Sequence, residues 1–355
     1  SLAWVDAMGR IQTGPESAAS EPGPACYQRG GERPAITDAD LVLGKLDPDN
    51  FAGGAIKLSV ARSEQAIQTE VAGKLGLDAL AAGFGICEVV DENMANAARV
   101  HAVENGKTIG ENVMIAFGGA APLHAARLCE KLGIDRCLIP QGAGVGSAIG
   151  FLRAPFSFEA NRSVFTKITA FDPARVKALF AEMEQEARSF VRSCDASAQI
   201  LTDYKVYMRY AGQGWEIPVP LTPEEAANPD AATFLIRFEE DYTRLFGRSV
   251  DGMEAEITVW SVNAYTPTPP VDRIAPAVAA AAPAPQGQRD LFDPALARRM
   301  TAAIHPRAGL SAGATVEGPA VITEDETTIV LPTSRRAAAQ PDGCIDIRTK
   351  EPRHD

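Results

Sequence analysis

The sequence predicts an α/β protein followed by an α+β region that ends in short β-strands. Three observations carry this. An apolar run, Val113 to Phe117, enters Gly118-Gly119 and then a helical pattern starting near Pro122, a residue suited to a first helical turn. A second strand, Cys137 to Ile139, stops at Pro140 and opens into the glycine-spaced loop Gly142, Gly144, Gly146, followed by Ser147 and Ala148. Strand–glycine–helix alternation of this kind reads as α/β. Beyond Phe156, strands and helices with clean periodicities stand in separate blocks, which is the α+β signature.

In order along the chain, residues 1–55 are rich in turns, punctuated by Gly14, Pro15, Pro22, Gly23, Pro24, Gly30, Gly31 and Pro34. Ser1 to Asp6 reads as a strand already under way, as if the chain were cut from something longer. Residues 59–76 carry Val60, Ala66, Ile67, Val71 and Leu75 at helical spacing and stop near Gly76. Residues 79–105 form a longer helical pattern, with a break expected at Gly83 or Gly85. Pro173 to Cys194 is an amphipathic helix opened by Asp172-Pro173. Asp203 to Tyr210 alternates, with Tyr204, Val206, Met208 and Tyr210 on one face. Gly212-Gln213-Gly214 turns it back into Trp215 to Val219. Ala231 to Phe246 is a helix stopped by Gly247, and Glu256 to Ala264 is a strand. Residues 267–287 are Ala- and Pro-rich, and short strands follow: Val316, Ala320 to Thr323, Thr327 to Leu331 and Cys344 to Ile347. The expected division is a lobe over 1–157, with the glycine turns at 113–150, and an α+β domain over 158–266. A linker over 267–290 and a β-rich C-terminal segment over 291–355 complete it.

Composition bounds the function. The chain has 355 residues, 46% hydrophobic and 23% charged, ample for a large core. Lys plus Arg number 34 and Asp plus Glu 46, a net charge of −12, which argues against nucleic acid or an anionic membrane as partner. No apolar run approaches the ~20 residues of a membrane span, and no signal peptide is evident. The cysteines at 26, 87, 129, 137, 194 and 344 form no Cys-x-x-Cys pair, so no zinc site is expected. Scattered thiols fit a reducing cytoplasm. Of the four histidines, His354 lies at the frayed end.

Four constellations stand out, each with two readings. The runs Phe117 to Pro122 and Gly142 to Gly150 fit a ligand cradle, because bare backbone and helix N-termini suit a nucleotide. Taken alone they fit better as tight turns between packed elements, since neither is a dinucleotide fingerprint nor a Walker A loop. The loop Gly14 to Gly31 is either functional or a structural crossover. Thr37-Asp38-Ala39-Asp40 either binds a metal or substrate, or caps a helix, and the cap is favoured. His124 sits two residues into a helix beside a glycine turn, where it either reaches a ligand or simply packs. Cys26 has no paired histidine near it in sequence to make it a nucleophile.

Taken together, the runs resemble the hydantoinase A/oxoprolinase family. The resemblance rests on Ser1 to Asp6 (SLAWVD), Gly14 to Ala18 (GPESA), Pro22 to Tyr27 (PGPACY), Arg29 to Gly31 and Thr37 to Gly44 (TDADLVLG). It continues through Phe117 to His124 (FGGAAPLH), Arg209 to Gly214 (RYAGQG), Ile304 to Arg307 (IHPR) and Gly318 to Ile322 (GPAVI), in order. It implies the second half of an actin/sugar-kinase/Hsp70-like ATPase fold with an appended C-terminal domain. It further implies an ATP-dependent hydrolase of cyclic amides, hydantoinase or 5-oxoprolinase type, using ATP and Mg in the cytoplasm. Related subunits belong to acetone and acetophenone carboxylases, which stands as an alternative, as does a non-catalytic structural chain. The implied partners are an N-terminal half of the same subunit, a B-type subunit and a small-molecule substrate, with neither nucleic acid nor membrane. The implied adenosine-side residues are Gly118, Gly119, Ala120, His124, Gly142, Gly144, Gly146 and Ser147. No protein metal ligand or catalytic residue is assigned. The family's Asp-x-Gly-Gly-Thr phosphate motif is absent here, Ala19 replaces a usual Gly, and Tyr242 replaces an expected His.

Overall fold

A computed structural model describes residues 1–350 except positions 251, 269, 272 and 276. Its internal contacts separate two units, residues 1–151 with residues from 273 onward, and residues 152–272.

The first unit is built on a six-stranded mixed sheet. Its strands lie in the order Ala280–Ala281, Ala314–Glu317, Arg335–Ala339, Ile345–Thr349, Arg136–Ile139 and Met114–Ile115. A four-stranded sheet of Gly287–Asp293, Arg298–Pro306, Ala320–Thr323 and Thr328–Leu331 belongs to the same unit. Ile139, Ile322, Leu331, Ile345 and Ile347 share one core cluster, so side chains from both sheets close it. Helices Ile36–Val42, Val60–Ile67 and Ala79–Glu104 pack around a second cluster containing Val42, Ile67, Val71 and Ile86.

Three expectations are corrected here. The helix Ala79–Glu104 runs unbroken through Gly83 and Gly85. Glycine costs only about 1 kcal/mol in a helix. At Gly85 a Cβ would lie 2.7 Å from Ile11 Cδ1, the far end of a side chain on the hairpin strand Ile11–Thr13, so the glycine lets that side chain pack directly on the helix. The residues read as a linker contain ordered pairing. Ala280–Ala281 lies parallel to Ala314–Thr315, and Gly287–Asp293 pairs with Arg298–Ile304. Positions 269, 272 and 276 of that stretch, like His354, lie outside the described residues.

The third correction is the largest. The β-rich C-terminal segment does not stand apart, because Ile345–Thr349 is inserted between Arg335–Ala339 and Arg136–Ile139. Cys137 and Ile139 are fully buried on a four-residue strand, and Ile345 and Ile347 close the same cluster beside them. Arg136 Nε also donates to Asp346 Oδ1 at 3.0 Å. Hydrophobic periodicity identifies a strand but not a partner 210 residues away.

The second unit is an antiparallel sheet with strands Ser157–Arg162, Ala255–Tyr265, Leu201–Tyr210 and Ile217–Leu221 in that order, with Thr166–Lys167 beside Ala255–Tyr265. Tyr204, Val206, Met208 and Tyr210 are its buried face. The helix Pro173–Cys194 sets Val176, Phe180, Met183, Ala187 and Val191 against it, the spacing of one helical stripe. Asp172 caps that helix by accepting from Ala174 N and Arg175 N. Tyr242 stacks on Tyr210 and Phe246, and its hydroxyl accepts from Gln213 Nε2 at 2.7 Å. The residue found in place of the expected histidine is thus part of this core.

Deleting residues 341–355 removes an interior strand from the first unit's sheet. The truncated chain is expected to lose cooperative unfolding in that unit while residues 152–272 stay folded. Hydrogen exchange resolved by segment checks this, and protection persisting at Cys137–Ile139 would contradict it.

Candidate functional site

The site is organised from the helix Ile36–Val42. Asp38 is fully buried near its start, where its carboxylate accepts from Ala35 N at 2.8 Å. This is the expected cap, and it does more. The same carboxylate accepts from Ala25 N at 3.1 Å, Cys26 N at 2.8 Å and Ser63 Oγ at 2.7 Å. One side chain therefore ties the loop Gly14 to Gly31 to two helices. Cys26 is fully buried, and burial, reinforced by the neighbouring Asp38 charge, pushes its thiol well above the usual range. A thiol held neutral is no nucleophile. Ala19 sits at φ 51°, in the left-handed region that glycine adopts without strain.

Asp40 lies on a different face of the helix, as the i+2 spacing requires. Its Oδ1 accepts from Lys45 Nζ at 2.8 Å and from Cys87 Sγ at 3.3 Å. Its Oδ2 lies 3.2 Å from His124 Nε2, and His124 Nδ1 lies 2.8 Å from Asp91 Oδ1. All five residues are buried. Both imidazole nitrogens face carboxylate oxygens, and only the imidazolium can donate to both. Burial works against a charged imidazole, but the Asp40 carboxylate outweighs it, and the His124 pKa is raised to about 9. Burial likewise opposes ionisation of Asp40, yet Lys45 and His124 hold its carboxyl well below the usual range. Lys45 is held protonated, burial being overcome by Asp40. Cys87 is pushed well above the usual thiol range by burial, against the pull of Lys45.

This network was the part that motif reading missed. Asp91 occupies a core position of the helix Ala79–Glu104, on one stripe with Gly83, Cys87 and Ala95. A carboxylate on an apolar stripe was the available signal, since acids are almost never fully buried unpaired.

Asp40, its side chain only 4% exposed, borders a cleft of ≈ 590 Å³. Tyr27, Thr37, Phe51, Leu123, Gly119, Ala120 and Gly144 line it, together with the turn Glu324 to Thr328. The two glycine turns meet there: Gly118 N donates to Ala143 O at 2.6 Å, and Thr327 Oγ1 donates to Gly119 O at 2.8 Å. At Gly144 a Cβ would lie 2.4 Å from Glu326 Cβ, so the close backbone approach is to the protein's own turn. Of the residues expected at a nucleotide, Gly119, Ala120 and Gly144 line the cleft. His124 lies behind it, reaching it through Asp40, while Gly118, Gly142, Gly146 and Ser147 are not part of its wall.

Among the described residues the lining has five carboxylates, at Asp40, Asp47, Glu324, Asp325 and Glu326, and no cationic side chain. Asp47 and Glu324 are paired outward, with Arg289 and Arg307. The one positive element is the N-terminal end of the helix Ala121–Leu132. Among the described residues no group of three or more His, Cys, Asp or Glu is placed to hold a metal. Nor, among them, is any helix long and apolar enough to cross a membrane.

Residues 1–160 match the family described as hydantoinase/oxoprolinase, and residues 168–343 match the C-terminal domain of the same family. The chain belongs to the hydantoinase/oxoprolinase family. Within it, the chain is 28% identical to the caprolactamase subunit alpha of Pseudomonas jessenii, over 98% of this chain and 51% of that one. It is 32% identical to the acetophenone carboxylase gamma subunit of Aromatoleum aromaticum, over 99% of this chain and 50% of that one. A nucleotide-free acetone carboxylase structure superimposes with a TM-score of 0.79 at 26% identity, covering 98% of this chain and 51% of that one. The chain thus spans about half the length of the curated relatives it matches. These are enzymes built from subunits, and the mixed α/β architecture is shared with them.

The network predicts a specific pH dependence. His124 titrates near 9 in the fold, above the ~6.5 of an unfolded histidine. Its contribution is therefore complete below pH ~6.5 and is lost as pH rises through about 9, on the order of 3 kcal/mol. Asp40 contributes in the opposite sense, its stabilisation being present above pH ~3.9 and lost on acidification. Urea midpoints between pH 6 and 10 measure the alkaline limb, and His124→Gln should flatten it. Lys45→Met should cost about 3 kcal/mol at neutral pH by leaving buried Asp40 with the His124 imidazolium as its one remaining cation.

Proposed function

We propose that this chain is the C-terminal half of the ATP-binding subunit of a cyclic-amide hydrolase of the hydantoinase/5-oxoprolinase type. In this reading it supplies the second half of an actin/sugar-kinase/Hsp70-like ATPase fold and the adenosine side of the cleft. It works in the cytoplasm with an N-terminal half and a B-type partner subunit. The observation that carries the reading is the lining of the cleft. Flat and apolar side chains, a glycine turn and carboxylate acceptors suit an uncharged, donor-bearing nucleoside. With no cationic side chain on that wall, phosphates need their counter-charge from elsewhere. That agrees with the absence of a phosphate-gripping motif from the sequence.

When bound, ATP supplies the phosphoryl group that turns an amide carbonyl oxygen into a leaving group. This chain's residues do the binding. Tyr27, Phe51 and Leu123 exclude water from one side of the cleft, and Gly119-Ala120 brings backbone and a helix N-terminus to it. Asp40 is held as an anion and so acts as a fixed acceptor rather than as a proton donor. The described residues form no ready metal cage, so Mg is expected to arrive with the phosphates.

The similarity to the acetophenone and acetone carboxylases favours a second reading, in which the same half-site serves a ketone carboxylase. Reconstitution with the remaining subunit segments separates the two. Cyclic-amide-stimulated ATP hydrolysis without bicarbonate is expected for the hydrolase. Bicarbonate-dependent turnover with a ketone marks the carboxylase, and no substrate-stimulated ATP hydrolysis with either would overturn both.

A further inference from the structure

We propose that Asp40 is the anchoring acceptor of the cleft, taking a hydrogen bond from a ribose hydroxyl of the nucleoside, with His124 and Lys45 as positioning residues that hold its carboxylate for that bond. This rests on the nucleoside reading above and assigns a residue to it.

The first argument is a count of acceptor positions. A carboxylate offers about four lone-pair sites. Asp40 Oδ1 is engaged by Lys45 at 2.8 Å and Cys87 at 3.3 Å, whereas Oδ2 meets only His124 Nε2, at 3.2 Å. One site on Oδ2 is left over, and Asp40 belongs to the cleft wall.

The second argument is energetic. Burying two carboxylates, an ammonium and an imidazolium together is weak evidence for stability, since apolar residues of similar volume commonly do as well. What the arrangement does provide is a carboxylate fixed from three sides at the edge of a cavity, which is preorganisation for a ligand. Asp91 in turn orients His124 through Nδ1 at 2.8 Å.

The third argument concerns the ligand. The wall presents carboxylate acceptors and, among the described residues, no cationic side chain, so it suits a neutral part of a ligand that donates hydrogen bonds. Tyr27 and Phe51, with ring centroids 5.7 Å apart, bring aromatic faces to the same cleft for a flat base. Thr37, one turn before Asp40 on the same helix face, adds a second polar group to the wall. A nucleoside combines the flat base and the vicinal hydroxyls that these groups match.

Calorimetric titration of the full chain with adenosine, 2′-deoxyadenosine and 3′-deoxyadenosine tests this without disturbing the fold. Adenosine should bind, and at least one deoxy analogue should bind 10-fold or more weakly, as expected for a lost hydrogen bond to a charged group. His124→Gln and Asp40→Asn, wherever they remain folded, should shrink that discrimination severalfold, since a merely structural role would weaken all three nucleosides alike. Equal affinity of the wild-type chain for all three overturns the assignment of Asp40 and leaves the nucleoside reading intact. Undiminished discrimination in folded His124→Gln overturns the positioning role. No binding of any nucleoside at millimolar concentration overturns the nucleoside reading, and this assignment with it.

Discussion

The contact of Asp40 with Lys45 and His124 is the constraint on which the first unit's cleft depends. It joins the helix Ile36–Val42 to the segment just after it and to the start of the helix Ala121–Leu132, and through Asp91 it reaches the helix Ala79–Glu104. Each of these elements also contributes apolar packing, but packing alone is indifferent to small sliding movements. A set of charges in a poorly solvating interior is not, because an ion that leaves its partner meets a penalty of several kcal/mol. The network therefore fixes the relative register of three helices, and the glycine turn Gly118-Gly119 is delivered to the cleft by the last of them.

Asp38 does for the loop what Asp40 does for the helices. An irregular segment rich in Gly and Pro has few backbone bonds of its own, and its polar groups must be satisfied somewhere. Here one carboxylate collects three backbone N–H groups and a hydroxyl, so an eighteen-residue excursion from Gly14 to Gly31 is anchored near its middle and at its exit. Tyr27, which follows the anchored residues directly, is thereby brought to the cleft. Two acids separated by one residue thus have opposite assignments, one to architecture and one to the ligand-facing wall.

Much of this was legible in the sequence, for identifiable reasons. The elements from Pro173 to Tyr210 were readable because strand and helix there have one buried face, as with Tyr204 to Tyr210 and Val176 to Val191. The glycine turns were readable because glycine has few other uses after a strand. Their division of labour was not, since Gly119 and Gly144 differ in what lies across from them, and that is the turn Glu324 to Thr328 far along the chain. Asp91, Lys45 and Cys87 escaped for the same reason: a charge is explained by its partner, and these partners are spread over three separate segments. Motif reading finds groups that are close in sequence, whereas the ion network is assembled only by the fold.

The interior strand Ile345–Thr349 has a consequence for how the chain acquires its structure. A strand in the middle of a sheet has a partner on each side, so until Ile345–Thr349 docks, both Arg335–Ala339 and Arg136–Ile139 are left with an unpaired edge. The intervening unit eases this. Ser157 and Tyr265 are paired neighbours on adjacent strands of its sheet, so once that unit has folded, its entry and exit points are already side by side. The connection to be closed is then roughly half as long, which lowers its entropic cost by only about 0.6 kcal/mol. The pairing of Arg136–Ile139 with Ile345–Thr349 is therefore made across a shorter effective loop once the intervening sheet has formed.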